Sequence, residues 1–533
     1  MKTVFKRIWT HFESINGIIF IIYALFITLT QVFISTAETG TFFLGALVWA
    51  AICLFICPLI LKFARNIQIH EGKIHRFAVH NVVWRIIFFV VPLLVFLFHY
   101  IIYYPGCFSN DSVDQYRQSI EGSYNDWHPF FHTLFAFKLP LFITRGWTGS
   151  IVLFQILLFS AVIAYSLFTV KQYTNTLYAL AAMLFILINP ETSSIALFPW
   201  KDTSFAIGAL LMSTYCLKVY FTKGEWLRRP LNLICFVLVA AATTLFRHNA
   251  LLFTVPLVFA ALLFVSKKRA IVIAVSCLVL VASVKYPLAG FLNVESPGKR
   301  QIETLGLPMT VIGAAVTYNA EYVDDDILKF AYKVAPAEVW QEKYQYGSYN
   351  DVKWDSRTNN DVIEEYGAAK VLYMAARCIK DCPRTTLTGL IKLTEVVYTV
   401  SDNYSFYIAT YSILPQNNAV SQSTAESQNF DKQISADFNN LFPHLFMYIG
   451  VMHLVLLISI LAKCRLNKWC DWKRFLFVLP LFIYNFGTTL LLTASGDSSR
   501  FFYYTFILMP VLLVFLYKNE KEGSADNFVR EEL

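Results

Sequence analysis

Charge is scarce in this chain. Only 15% of its 533 residues are Asp, Glu, Lys or Arg, where a soluble domain carries about 25%. With 56% apolar residues and a mean hydropathy of +0.51, an ordinary soluble globule is excluded. Ten cysteines are present, yet none falls in a metal-binding framework. Cys53, Cys57, Cys216, Cys235 and Cys277 lie in apolar runs as small hydrophobes. Cys464 and Cys470 sit in a basic connector as free thiols, and Cys378 and Cys382 pair only if their backbone permits it. No repeat recurs at a fixed period, direct or inverted.

What is there is apolar sequence in runs of about 17–23 residues, enough to cross roughly 30 Å of hydrocarbon. The 48 Phe and 29 Tyr suit lipid-facing surfaces and interfacial belts. A net charge of +8 would fit nucleic acid, but the Lys and Arg sit in short connectors beside apolar runs. That placement suits anionic lipid, so the bilayer and not nucleic acid is the expected partner.

The expected spans are 16–35, 42–61, 86–104, 150–170, 177–190, 203–221, 231–246, 250–265, 270–288, 443–462, 475–494 and 501–517. The first, from Ile15 to Ser35, is longer than a signal-peptide core and is read as retained. About twelve spans put both termini in the cytoplasm of a multi-pass cell-membrane protein. The run Pro129–Thr144 is short and holds Lys138 and Pro140. Left at the outer interface, it lets Lys62, Arg65, Arg85, Arg228, Arg229, Lys267, Lys268, Lys463 and Lys473 all face inward, as the positive-inside rule asks. Asn125 or Asp126 is placed to cap it, and Pro129 suits its first turn.

This gives a membrane region over 1–289 with an outer loop at 105–149, and a large polar outer loop over 290–442. Three more spans follow over 443–517, then a cytoplasmic tail, 518–533. In the large loop Asp325–Glu342 and Val362–Lys380 read as helices, and Gln416–Ser427 is low in complexity. The cytoplasmic connectors are too short for a nucleotide-binding fingerprint, which excludes a nucleotide-sugar donor.

The first outer loop concentrates Asp111, Asp114, Asp126 and His128 beside the membrane, with Tyr124 and Trp127 flanking the second acidic group. A carboxylate desolvated there is expected to gain basicity, as a general base requires. Charges also mark the outer ends of later spans: Trp200-Lys201-Asp202, Arg247-His248-Asn249 and Gly496-Asp497-Ser498-Ser499-Arg500. So close to hydrocarbon they are expensive unless paired or facing a wet cavity. Taken one at a time they read equally well as interface anchors or structural ion pairs, but all fall on the face of the acidic loop. Lys201, Arg247 and Arg500, with His248, are candidates to hold a phosphate, Arg bidentately. Asp202, Asn249, Asp497 and Trp127 are candidate supports. Asp111-x-x-Asp114 is also spaced to hold Mg²⁺ or Mn²⁺, although no cofactor is required. His128 and His132 lack a third zinc ligand.

This arrangement resembles the GT-C superfamily of membrane glycosyltransferases. Pro105–Pro129, the three charged turns and Tyr349-Asn350-Asp351-Val352-Lys353 are similar to a GT-C-like family of Gram-positive bacteria. The resemblance implies an all-α polytopic fold with interface-lying helices in its first large outer loop. It implies transfer of a sugar from a polyprenyl-phosphate donor to a cell-envelope glycan acceptor, and it matches Asp111 best to the family's first-loop acid. Many members begin the acidic loop after the first span, whereas here it follows the third. Direct displacement with an Asp base predicts inversion. A transporter or flippase, or a ligase or polymerase of lipid-linked saccharides, is the alternative.

Overall fold

The computed structural model describes residues 81–296, 304–398, 429, 433, 449–466, 472–491 and 498–517. The two N-terminal spans expected at 16–35 and 42–61, the segment Gln416–Ser427, Asp497 and the tail 518–533 lie outside them. Among the described residues the chain is helical, with no strand.

The apolar part opens with α1 (Asn81–Ile102), followed by the polar α2 (Asn110–Glu121) and by α3 (Phe130–Ile143). Next come α4 (Gly149–Tyr173), α5 (Thr176–Ile188), α6 (Pro190–Leu197) and α7 (Lys201–Phe221). Then follow α8 (Pro230–Phe246), α9 (Leu251–Leu262) and α10 (Lys267–Phe291). Four of these (α1, α4, α7 and α10) are long and apolar enough to cross a membrane, and a fifth crossing results if α5 and α6 count as one span. The expected fifth span, 177–190, matches α5, and the chain bends just at its end. It breaks at Asn189-Pro190 and turns by 66°, since Pro190 has no N–H to continue the ladder and Asn189 caps the new helix through Glu191 N.

The hub is α7, which packs against α4, α8 and α9. Most of its apolar stretch is buried (83%), whereas almost none of α10's is (6%). The inside helix is also the more polar, with Ser204, Ser213 and Thr214 buried along it. Ile271, Val275, Leu278 and Phe291 of α10 lie exposed instead. A water-soluble fold would sort these the other way. An apolar exterior around a hydroxyl-bearing interior is what a bilayer selects. Close approach is set by Gly208, where a Cβ would stand 2.5 Å from Thr243 Oγ1 of α8.

The stretch expected as a large outer loop forms a helical unit with its own core. It comprises α11 (Gly306–Tyr318), α12 (Asp325–Val334), α13 (Ala337–Lys343), α14 (Asn350–Lys353), α15 (Asp361–Tyr366), α16 (Ala368–Asp381) and α17 (Pro383–Thr394). Trp340, Phe330, Tyr349, Met309 and Met374 fill its centre. Each helix expected from the sequence here is two. Asp325–Glu342 breaks at Pro336, and Val362–Lys380 breaks at Gly367, whose φ is +75°. Cys378 and Cys382, one turn apart, are buried free thiols.

The chain ends with α18 (Ile449–Leu466), α19 (Leu479–Thr489) and α20 (Ser498–Tyr517). α20 lies along α7 and α18. Polar bonds knit this end to that helical unit. His453 Nδ1 donates to Val397 O at 2.7 Å, while Asn485 reaches His453 Nε2 at 2.8 Å and Thr505 Oγ1 at 2.9 Å.

Candidate functional site

α2 is too polar to sit in the bilayer, and its start is held from two sides. The approach to it is fixed where Cys107 N donates to Leu197 O at 3.0 Å. Gly106, at φ +122°, lets Val152 come so near that a Cβ would meet its Cγ2 at 2.3 Å. Trp200 Nε1 donates to Ser109 Oγ at 2.7 Å, joining the α2 N-terminus to that of α7. Asp111 in the first turn therefore faces Lys201 and Asp202 in the first turn of α7.

Around this junction side chains from α2, the approach to α3, the start of α7, the end of α8, α19 and α20 converge. Asp111 Oδ2 is 3.6 Å from Arg500 Nη2, and its Oδ1 is 4.0 Å from His128 Nε2. Lys201 Nζ is 2.7 Å from His128 Nδ1. Asp202 Oδ1 is 2.7 Å from Arg247 Nη1, and its Oδ2 is 4.0 Å from Arg500 Nε. Arg247 also donates to Tyr484 OH at 2.7 Å and lies over the Phe501 ring. Arg500 lies between the Trp200 and Phe501 rings at 5.0 and 4.8 Å. The cations thus alternate with two carboxylates and rest on aromatic faces, which fixes planar guanidinium groups at little entropic expense.

The electrostatics correct one expectation. Burial does work to raise the Asp111 carboxyl, but Lys201, Arg500, His128 and Lys353 outweigh it and hold it below its ordinary 3.8. Asp111 is therefore an ion-paired carboxylate here, not one of raised basicity. His128 is held well below its usual 6.5, by burial first and then by Lys201, so it is neutral at pH 7. An ammonium only donates, so His128 Nδ1 accepts from Lys201 and Nε2–H points at Asp111.

Behind His128, His132 is pushed down to about 3 by burial and Lys201. Its Nδ1–H donates to Gln115 Oε1 at 2.6 Å, and its Nε2 accepts from Ser204 Oγ at 3.1 Å. With both nitrogens engaged, His132 positions α3 against α2 and α7. Among the described residues no group of three or more His, Cys, Asp and Glu gathers to hold a metal ion.

The other candidates lie apart from this junction. Asp114 Oδ2 accepts from Gln118 Nε2 at 2.7 Å. Asp126 Oδ1 accepts from Phe130 N at 3.2 Å, capping α3, and its N–H donates to Glu295 O. His248, exposed, reaches Asp126 O at 3.1 Å. Asn249 donates to Thr488 Oγ1 at 2.9 Å, and Trp127 is half-buried with its N–H on Asn125 Oδ1. Asp114 and Asp126 thus support local structure, whereas Asp111, His128, Lys201, Asp202, Arg247 and Arg500 come together.

The chain stands alone in its comparisons. No protein-family model, no curated protein and no solved structure matches it. The functional reading accordingly rests on the residues.

Sequence reasoning assigned no role to Trp200, Tyr484, Gln115 or Lys353. Trp200 carried a signal, as the neighbour of Lys201. Tyr484 and Gln115 carried none, being ordinary polar residues whose importance appears only through their partners. Lys353 stood in a segment that had been singled out, but nothing in its spacing tied it to Asp111.

Proposed function

We propose that this chain is a GT-C-like glycosyltransferase. It moves a sugar from a polyprenyl-phosphate donor to a cell-envelope glycan on the extracytoplasmic face, with inversion. In this reading it is a cell-membrane protein of about twelve spans, with interface-lying helices in its first outer loop and both termini in the cytoplasm. One observation carries the reading: Asp111 meets Lys201, Arg500 and His128 where α2, the approach to α3, α7 and α20 converge. Carboxylate and cations side by side, at the ends of apolar helices, are what a lipid phosphate and a nearby hydroxyl require.

Asp111 takes the proton of an acceptor hydroxyl, whose oxygen attacks the anomeric carbon. The bond from that carbon to the phosphate oxygen breaks, and polyprenyl phosphate leaves with one more negative charge than it had as a diester. Lys201, Arg247 and Arg500 stabilise that added charge, so their effect is greatest in the transition state. The donor phosphate also draws Lys201 and Arg500 away from Asp111, which restores the carboxylate's basicity once donor is bound. His128 Nε2–H holds the carboxylate in place and Asp202 orients Arg247. Mg²⁺ or Mn²⁺ at Asp111 and Asp114 is not needed by this scheme.

Purified protein given a polyprenyl-phosphate sugar should release free polyprenyl phosphate; a diphosphate donor should not serve. Asp111→Asn should abolish release, and near-normal turnover would remove Asp111 from this role. A second reading, a flippase for lipid-linked saccharides, is favoured by the 66° break between α5 and α6, since transporters build substrate sites from broken helices. A flippase would move the intact lipid between leaflets and liberate no polyprenyl phosphate. A ligase or polymerase would prefer the diphosphate donor.

A further inference from the structure

α2 holds Asp111 in its first turn, and the same stripe of α2 is fastened further along. Asp111, Gln115 and Ser119 recur every four residues, so they share one face of the helix. Gln115 is only 1% exposed. Its Nε2 donates to Asp111 O at 3.3 Å, and its Oε1 accepts from His132 Nδ1–H at 2.6 Å and from Thr133 Oγ1 at 3.2 Å. One turn on, Ser119 O accepts from Lys138 Nζ at 2.8 Å. His132 is held in turn to α7 by Ser204 Oγ, one turn after Lys201. A buried amide engaged in this way cannot turn without stranding polar groups away from water.

Both fastenings land on an irregular part of α3. Residues Thr133–Lys138 form a π-turn. In a regular α-helix Thr133 and Lys138, five apart, would point about 140° from one another, and only one of them could meet α2. A π-turn bonds residue i to i+5, which brings positions five apart close to one face. The wider turn therefore presents Thr133 and Lys138 to α2 together. Such turns are rare and occur frequently at functional sites. Here the geometry leaves little slack, because a rotation of α2 would carry Asp111 off Arg500 and His128, 3.6 and 4.0 Å from its oxygens.

We infer that Gln115 is a positioning residue. With the π-turn of α3 it fixes the rotation of α2 about its own axis, and so aims the Asp111 carboxylate at the junction. The inference rests on the glycosyl-transfer reading and deepens it. Gln115 acts only through Asp111. Lys201, Arg247 and Arg500 stand on α7, at the end of α8 and on α20. A turned α2 thus misdirects the base and leaves the cations that hold phosphate where they are.

The test measures release of polyprenyl phosphate by the full chain in detergent, with donor concentration varied to separate kcat from KM. Gln115→Met keeps the side-chain length and removes the amide. It should lower kcat by about ten- to a hundredfold, the effect of displacing a catalytic group by about 1 Å, with donor KM within about twofold. Thr133→Val and Lys138→Met each remove one fastening and should lower kcat by a smaller factor, again at unchanged KM. Should Gln115→Met fail to fold, these two decide. A merely structural role would reduce the yield of folded protein and leave kcat per folded molecule unaltered. That result, or a raised donor KM at native kcat, would overturn the assignment and leave the transfer reading standing on an inactive Asp111→Asn. Normal turnover by Asp111→Asn, or no release by the unaltered protein, would instead overturn the transfer reading, and this assignment with it.

Discussion

Removing Asp202 should damage the fold more than any exposed charge would, and the pair it makes with Arg247 supplies the magnitude. The side chains are 3% and 8% exposed, and Nη1 lies 2.7 Å from Oδ1. At an effective dielectric of about 20, unit charges at that separation attract by roughly 6 kcal/mol before desolvation is counted. Losing one partner strands the other in a dry site, which destabilises by about 3–5 kcal/mol. Asp202→Ala should therefore lower the unfolding free energy by that amount. Arg247→Met combined with Asp202→Leu should recover most of it, because an apolar pair of similar volume leaves no stranded charge. The assay is a double-mutant cycle on detergent-solubilised protein unfolded by added denaturing surfactant, with an expected coupling of about 2–3 kcal/mol. A single-mutant loss below about 1 kcal/mol and no coupling would mean that water screens the pair as it does on a surface, and the picture of a closed, dry junction would be wrong. The double variant should also bind donor phosphate poorly while staying folded, separating catalytic from structural damage.

Other outcomes follow from the same geometry. Because Asp111 is held below 3.8, it adds stability that is present at neutral pH and disappears as pH falls through its lowered folded value. Asp111→Asn should thus be less stable than the native chain at pH 7, and melting curves at descending pH should show the gap closing below about pH 4. In transfer assays the acid limb of kcat/KM should lie lower than that of kcat, since bound phosphate draws the cations off Asp111; coincident limbs would contradict this. Trp200→Phe loses the hydrogen bond to Ser109 and should raise the donor KM about tenfold with a smaller effect on kcat. Gly208→Ala should cost about 1–3 kcal/mol by pressing on Thr243, and adding Thr243→Ala should return part of it in the same unfolding assay.

Much of the helical layout was legible because the bilayer imposes a coarse rule, apolar residues in runs of fixed length, that single side chains cannot blur. Helix starts such as Gly149, Lys201 and Pro230 fell within a few residues of their expected places. The clustering of Asp111 with Lys201, Arg247 and Arg500 was legible for a related reason: the expected topology gathers these ends of neighbouring helices on one side. Finer matters were settled by contacts that no linear pattern encodes. The sign of the Asp111 shift depends on how many cations crowd it, and that count includes Lys353 from a separately folded unit. Asp126 was readable in the sequence both as a candidate base and as a cap for the next helix, and its bond to Phe130 N decides for the second. The expected fifth span carried its own warning in Asn189-Pro190, a pair that ends helices.

Arg500 stands in the last helix described, almost four hundred residues after Asp111. During synthesis the early helices therefore enter the membrane with an acidic loop that has yet to meet one of its principal counter-ions. Assembly of the junction must wait for the C-terminal segment to arrive and dock along α7. A ribosome halted before that point leaves Asp111 without Arg500, so half-made copies lack the assembled junction.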